Sequence, residues 1–308
     1  MRHELAPIAV FAFNRPDHLG RTLEALAANN LAAESDVTIF CDGPRHKDER
    51  ELTDAVRSVA KSAQGFASIC VVERPRNLGC ANSVIDGLKQ MFARSEGVII
   101  IEDDILTSAY TLSYLNSALS HFKEQKNIFS ISAWAPPKSL FQQSNDDTTN
   151  IYFVPRFHCW GWASWRDRFE QIDWDVTDYA KFNASPYLRR LYAQQGLDLP
   201  AMLDMQMSGK LNTWDIRADF SRFMRGMVSV NPRHSYTTNI GMGSGTHTTQ
   251  TTSVYDNDLS LAIQHLNLDA ENIYDYDLFR EYASLHVHRE NFWVNLKRQI
   301  KSMVKGHK

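Results

Sequence analysis

Three consecutive carboxylates, Glu102-Asp103-Asp104, end the apolar run Val98-Ile99-Ile100-Ile101. Acidic groups at the end of a buried segment repel one another and lose water, a state that packing does not reward and that a divalent cation offsets. Oxygen ligands of this kind hold Mg2+ or Mn2+ and leave positions for water and substrate phosphates. Other polar groups fall at comparable places: Arg15 in Asn14-Arg15-Pro16, Asp42 in Asp42-Gly43-Pro44, and Arg76 with Asn77 before Leu78-Gly79. Each follows an apolar run. Further on, Trp160, Gly161 and Trp162 lie within Phe157 to Arg166, where aromatic faces suit stacking on sugars and bases and a glycine permits close backbone approach. Trp214-Asp215 begins a helical pattern. Asn239 to Thr248 then combines glycines and hydroxyls with one histidine, His247, in the manner of a lid that orders over a ligand and brings that histidine to a diphosphate or metal.

The elements that must position these groups alternate. Ile8 to Phe13, Val37 to Cys41, Ile69 to Val72 and Val98 to Ile101 read as strands, the last of them buried on both faces. Between them, Asp17 to Asn30, with Leu19, Leu23, Leu26 and Ala27 at helical spacing, Arg45 to Ser62 and a stretch through Arg94 read as helices. Such alternation implies βαβ units and a mostly parallel sheet, with the polar residues at the carboxyl ends of strands, the rim where open α/β sheets bind ligands. Neither GxGxxG nor GxxxxGK[ST] occurs, which disfavours a Rossmann dinucleotide site and a Walker NTPase. After Ser108 the pattern predicts a helix to about Lys123, a strand from Ile128 to Ser132 and a polar surface loop from Phe141 to Asn150. Trp165 is expected on a helix, another helix runs from the Trp214-Asp215 pair through Arg225, and Val228 to Pro232 follows.

The chain of 308 residues suits one large domain with an extension. Its expected division is a catalytic domain over 1–255, comprising a nucleotide-binding half (1–105) and an acceptor half with a lid (106–255), followed by a helical extension over 256–308. A net charge of -3 and the lack of a basic-aromatic motif give no attraction to nucleic acid. No run of about 18 apolar residues is present, and Met1-Arg2-His3-Glu4 does not resemble a secretory leader, so a cytoplasmic protein is expected. Cys41, Cys70, Cys80 and Cys159 form no CxxC pair and read as reduced core residues. From Arg289 to Lys308, Phe292, Trp293, Leu296, Ile300, Met303 and Val304 recur at helical spacing among lysines and Arg298. A basic amphipathic helix of this kind either packs on the domain or lies on an anionic membrane surface, such as the inner face of the plasma membrane.

With these residues in this order, the chain resembles glycosyltransferases of the A-type fold. Within that group it is similar to the family of the N-acetylglucosaminyltransferase that initiates branching of complex N-glycans, and to bacterial relatives. In that family an arginine ends the first strand, Asp-Gly the second and Glu-Asp-Asp the fourth. A Gly-Trp precedes a helix, a Trp-Asp pair opens a later one, and a Gly/Ser/His loop closes the site. Arg15, Asp42-Gly43, Glu102-Asp103-Asp104, Gly161-Trp162, Trp214-Asp215 and Gly243 to His247 match in sequence order. The resemblance implies a Rossmann-like, mostly parallel α/β sheet flanked by helices and a metal-dependent inverting transfer of sugar from a nucleotide-sugar, a UDP-sugar first, to a glycan or lipid-linked acceptor. It further implies that Arg15 and Asp42 hold the base, that Glu102 and Asp103 contact ribose or sugar, that Asp104 ligates manganese or magnesium, and that Asp215 is the general base. Arg76, Asn77, Gly161, Trp162, Trp214 and His247 complete the candidate nucleotide-sugar contacts. The chain departs from the animal enzymes at Ile216 and Arg217, where they have acidic and aromatic residues. A sugar nucleotidyltransferase and a catalytically silent glycan- or nucleotide-binding module are the competing readings.

Overall fold

The computed structural model describes residues 5–141, 149–241, 254–264, 266–270, 276–283 and 285. The first half is regular: β1 (Ile8–Ala12), α1 (Pro16–Ala27), β2 (Asp36–Cys41), α2 (Arg50–Ser62), β3 (Ser68–Glu73), α3 (Cys80–Phe92) and β4 (Gly97–Glu102). There follow β5 (Ile105–Thr107), α4 (Thr111–Phe122), β6 (Ile128–Ser132), β7 (Ile151–Val154), β8 (Trp162–Trp165) and α5 (Arg166–Phe169). A helical stretch comprises α6 (Tyr179–Ala184), α7 (Pro186–Ala193), α8 (Leu199–Met207) and α9 (Asp215–Met224). The chain then forms β9 (Val228–Pro232), β10 (Thr237–Asn239) and α10 (Tyr276–Ala283).

Eight strands form one sheet in the order β3-β2-β1-β4-β8-β6-β9-β7, while β5 and β10 make a separate antiparallel pair. The alternating half is parallel throughout, as expected: β1 pairs in parallel with both β2 and β4, and β2 with β3. Beyond β4 the sheet is mixed, because β8 runs antiparallel to both β4 and β6. The run read as buried on both faces, Val98–Ile101, is so, and β1 is nearly as buried, at most 6 % exposed, whereas β3 at the sheet edge is partly exposed. Leu19, Leu23 and Leu26 place one face of α1 against the sheet, and Pro16 starts that helix without sacrificing a needed backbone donor.

Three expectations need correction. Trp165 closes strand β8 instead of sitting on a helix; it pairs with Gly97 and donates from Nε1 to Leu119 O at 3.1 Å. Phe141 is buried against Tyr152 and Tyr282, so the supposed polar loop begins with a core residue. Of the four cysteines only Cys41 is buried; Cys70 and Cys80 are exposed. The sequence pattern also passes over α6 to α8, whose short turns gather a small core of Phe182, Tyr192, Leu199, Leu203, Phe220 and Phe223. Among the described residues no helix is long and apolar enough to cross a membrane. The basic amphipathic stretch over 289–308 lies outside the described residues.

Candidate active site

Strands leaving β1 in opposite lateral directions, to β2 on one side and β4 on the other, create a crevice at their carboxyl ends. Arg15 stands just after β1, while Glu102 ends β4 and Asp103-Asp104 form the acidic turn after it. Thr22 on α1 donates from Oγ1 to Asp103 O at 2.8 Å and so fastens the helix to the acidic turn. Arg15 bridges the two aspartates: Nη2 donates to Asp103 Oδ1, and Nη1 lies 3.0 Å from Asp104 Oδ2. The arginine assigned by resemblance to the base is therefore held by the acidic turn.

The charges in this turn are uncomfortable without a further cation. Loss of water on burial, followed by the repulsion of Asp104, Asp215 and Asp103, pushes the Glu102 carboxyl well above the usual range, against the pull of Arg15. Burial likewise raises Asp103 to about 6 despite Arg15 beside it. Asp215 comes from the other half of the chain, at the first position of α9, where its Oδ1 accepts the Ile216 N–H at 2.9 Å. Its charge reaches Glu102, so carboxylates separated by more than a hundred residues converge at one rim.

Beside the turn lies a cleft of about 180 Å³. Arg15, Asp42, Asn77, Glu102 and Asp103 all line it, which unites five of the sequence candidates. Arg76 does not line it and is exposed on the rim. Asp42 is only 3 % exposed and its carboxylate is occupied by the protein. It accepts the N–H groups of Gly43 (3.0 Å), Leu78 (3.0 and 3.1 Å) and Gly79 (3.2 Å) and one N–H of Asn77 Nδ2 (3.1 Å). Asp42 thus shapes the loop between β3 and α3 by satisfying amides that would otherwise be buried without partners.

The tryptophans are also reassigned. Trp162 and Trp214 are 1 % and 3 % exposed and stack on each other, with ring centroids 5.5 Å apart and planes 20° from parallel. Phe157 meets both edge-on, at 4.8 and 5.6 Å. Neither of these two rings offers an open face to a ligand; the stack instead fixes Trp214, the residue immediately before Asp215. Gly161 is buried with φ of +81°, and the group close to it is the Thr237 side chain. Trp160, between Trp134 and Tyr255, is the half-buried ring of this segment.

Gly241 was legible only as part of the glycine-rich stretch. It is buried directly on the acidic turn: a Cβ built there would stand 2.7 Å from Asp104 Cγ and 2.9 Å from Arg15 Nη1. The Ile240 N–H donates to Asp104 O at 2.9 Å, and the β10–β5 pairing brings this strand across the site. His247 and residues 242–253 lie outside the described residues. Phe13, Arg45, Cys80 and Ser83 line the cleft and went unnoticed. The missed signal is position, since each lies within a few residues of a strand end or a helix start already identified.

The donor chemistry suits a hard divalent cation, since carboxylate oxygens cluster with Arg15 as the one positive group bonded to them in the turn. Among the described residues, however, no three His, Cys, Asp or Glu side chains close on a single point. A cation fits here through one or two carboxylates completed by water and ligand oxygens, the usual manner for magnesium.

No family model matches the chain. Several solved structures are similar to it. Mannosyltransferase PcManGT from Pyrobaculum calidifontis, in complex with GDP-Man and Mn2+, aligns at 17% identity and a TM-score of 0.39, covering 56% of this chain and 50% of that one. TarS from S. aureus aligns at 12% identity and a TM-score of 0.40 over 75% of this chain and 36% of that one. Galactosyltransferase LgtC, in complex with donor and acceptor sugar analogues, aligns at 12% identity and a TM-score of 0.34 over 57% of this chain and 64% of that one. In each case the match spans less than two thirds of the neighbour's length.

Proposed function

We propose that the chain is a metal-dependent, inverting glycosyltransferase that moves a sugar from a nucleoside-diphosphate donor, a UDP-sugar by the resemblance, to a hydroxyl of a glycan or lipid-linked acceptor. The observation that carries this reading is the acidic run Glu102-Asp103-Asp104 at the sheet switch point, within reach of the Asp215 charge and beside a cleft that Arg15, Asp42 and Asn77 line. The cleft receives the nucleoside. Asp104, the outer carboxylate under Gly241, is the residue that would hold manganese or magnesium, and Arg15 is the cation that balances its neighbours. A bound divalent cation neutralises charge that builds on the departing diphosphate. Asp215 takes the proton of the acceptor hydroxyl as its oxygen bonds to the anomeric carbon and the bond from that carbon to the diphosphate oxygen breaks on the opposite face. Glu102 and Asp103 orient the ribose or the transferred sugar.

The acceptor class rests on the sequence alone. The basic amphipathic pattern over 289–308 supports work at an anionic membrane surface, in the assembly of surface polysaccharide or lipopolysaccharide. Co-sedimentation with anionic vesicles, lost on removing residues after Arg289, tests that part. The transferase reading is tested by release of UDP from a panel of UDP-sugars with manganese, water standing in for the acceptor hydroxyl. Release that needs both manganese and Asp215 supports it; no release from any nucleotide-sugar, with folded protein, rejects it.

A further inference from the structure

Asp42 bonds the loop it shapes and Arg15 pairs with the acidic turn, which leaves room for further cleft residues to read the base. Two other cleft residues are arranged to do so. Asn77 commits both hydrogens of its amide, one to Asp42 Oδ2 at 3.1 Å and one to Gly43 O at 2.9 Å. That fixes the orientation of the amide and leaves Oδ1 as an acceptor. Arg45, two residues beyond Gly43, is half-exposed and engaged from two sides. Its Nε donates to Glu49 Oε1 and Oε2 at 2.9 and 3.1 Å, its Nη2 also bonds Glu49, and its guanidinium carbon lies 5.1 Å from the centre of the Phe13 ring. Of its five N–H groups these bonds use two, which leaves Nη1 and one hydrogen of Nη2 as donors, and Phe13 and Arg45 both line the cleft.

An acceptor and a guanidinium donor on the walls of one cleft match an imide edge, in which a ring N–H adjoins a carbonyl. We infer that Asn77 and Arg45 read the donor's base, Asn77 Oδ1 accepting the ring N–H and Arg45 Nη1 donating to the neighbouring carbonyl, so that the cleft takes uracil or guanine nucleotides; this rests on the nucleotide-donor reading above. Adenine and cytosine present a ring acceptor and an amino group at those two positions. In this register they set acceptor against acceptor and donor against donor, which is how a polar site rejects a near-isostere. Glu49 acts only through Arg45, as a positioning residue.

The test measures dissociation constants of UDP, GDP, ADP and CDP, and of inorganic pyrophosphate, with manganese present, for the parent protein, Arg45→Ala and Arg45→Lys. The expected result is that UDP or GDP binds the parent at least about tenfold tighter than ADP and CDP, and that both variants shrink this preference below about threefold. Lysine keeps the charge but not the fork, so it does not rescue. Pyrophosphate affinity stays within about twofold, because the residue reads the base and not the phosphates. Equal affinity of the parent for all four nucleotides overturns the inference, as does an equal loss for nucleotides and pyrophosphate in Arg45→Ala. Both outcomes leave the nucleotide-donor reading standing. If the folded parent binds none of the four, that reading falls as well.

Discussion

The Asp42 carboxylate accepts the backbone N–H of Leu78 on both of its oxygens, at 3.0 and 3.1 Å, and thereby ties the end of β2 to the loop that precedes α3. Because Gly43, Gly79 and Asn77 bond the same carboxylate, this one side chain sets the floor of the cleft.

Asp42→Ala leaves several amides without their charged partner. It is expected to cost about 2–3 kcal/mol of stability, the range for hydrogen bonds to a charged group, and to weaken UDP binding as a consequence of loop disorder. Urea denaturation checks this. A variant as stable as the parent that nevertheless fails to bind UDP would point back to direct contact with the base.

Gly241→Ala places a methyl group where the Asp104 carboxylate and Arg15 Nη1 already stand. The expected outcome is displacement of Asp104 and a loss of manganese-dependent UDP affinity of at least about tenfold. Gly241 follows β10, outside the eight-stranded sheet, so the fold itself should lose less than about 2 kcal/mol. Calorimetric titration together with a thermal melt separates the two effects, and unchanged manganese-dependent binding would show that the carboxylate is not used.

Asp215→Asn removes the proton acceptor but keeps the shape of the first turn of α9. UDP affinity is expected to stay within about threefold of the parent, while sugar transfer or donor hydrolysis falls by roughly two to four orders of magnitude. Near-parental turnover would reduce Asp215 to a helix-end charge, which favours the N-terminus whatever the chemistry.

The legible part of this molecule is the part governed by short-range pattern. Apolar runs of four to six residues marked β1 to β4, and the polar residues after them marked the rim, because a parallel sheet forces those ends to one side. The mixed half was not legible as a sheet: β7 and β10 are four and three residues long, and their pairing partners are β9 and β5, far away in sequence. Residue types identified Trp162 and Trp214 but not their role, since whether an indole faces a ligand or another indole depends on the antiparallel register of β8 with Ile100. The same holds for Arg15 and Asp42. Their positions were readable, whereas their partners, Asp103 and the Leu78 amide, belong to other loops.

Titration of UDP with and without manganese, into the parent and into Asp104→Asn, bears most directly on the proposal that this acidic turn is a metal-assisted nucleotide-sugar site. The expected result is that manganese tightens binding to the parent by at least about tenfold, and that Asp104→Asn, still folded by circular dichroism, abolishes that gain. Binding of UDP to the parent that is the same with and without manganese, or a manganese effect that survives in Asp104→Asn, would contradict it.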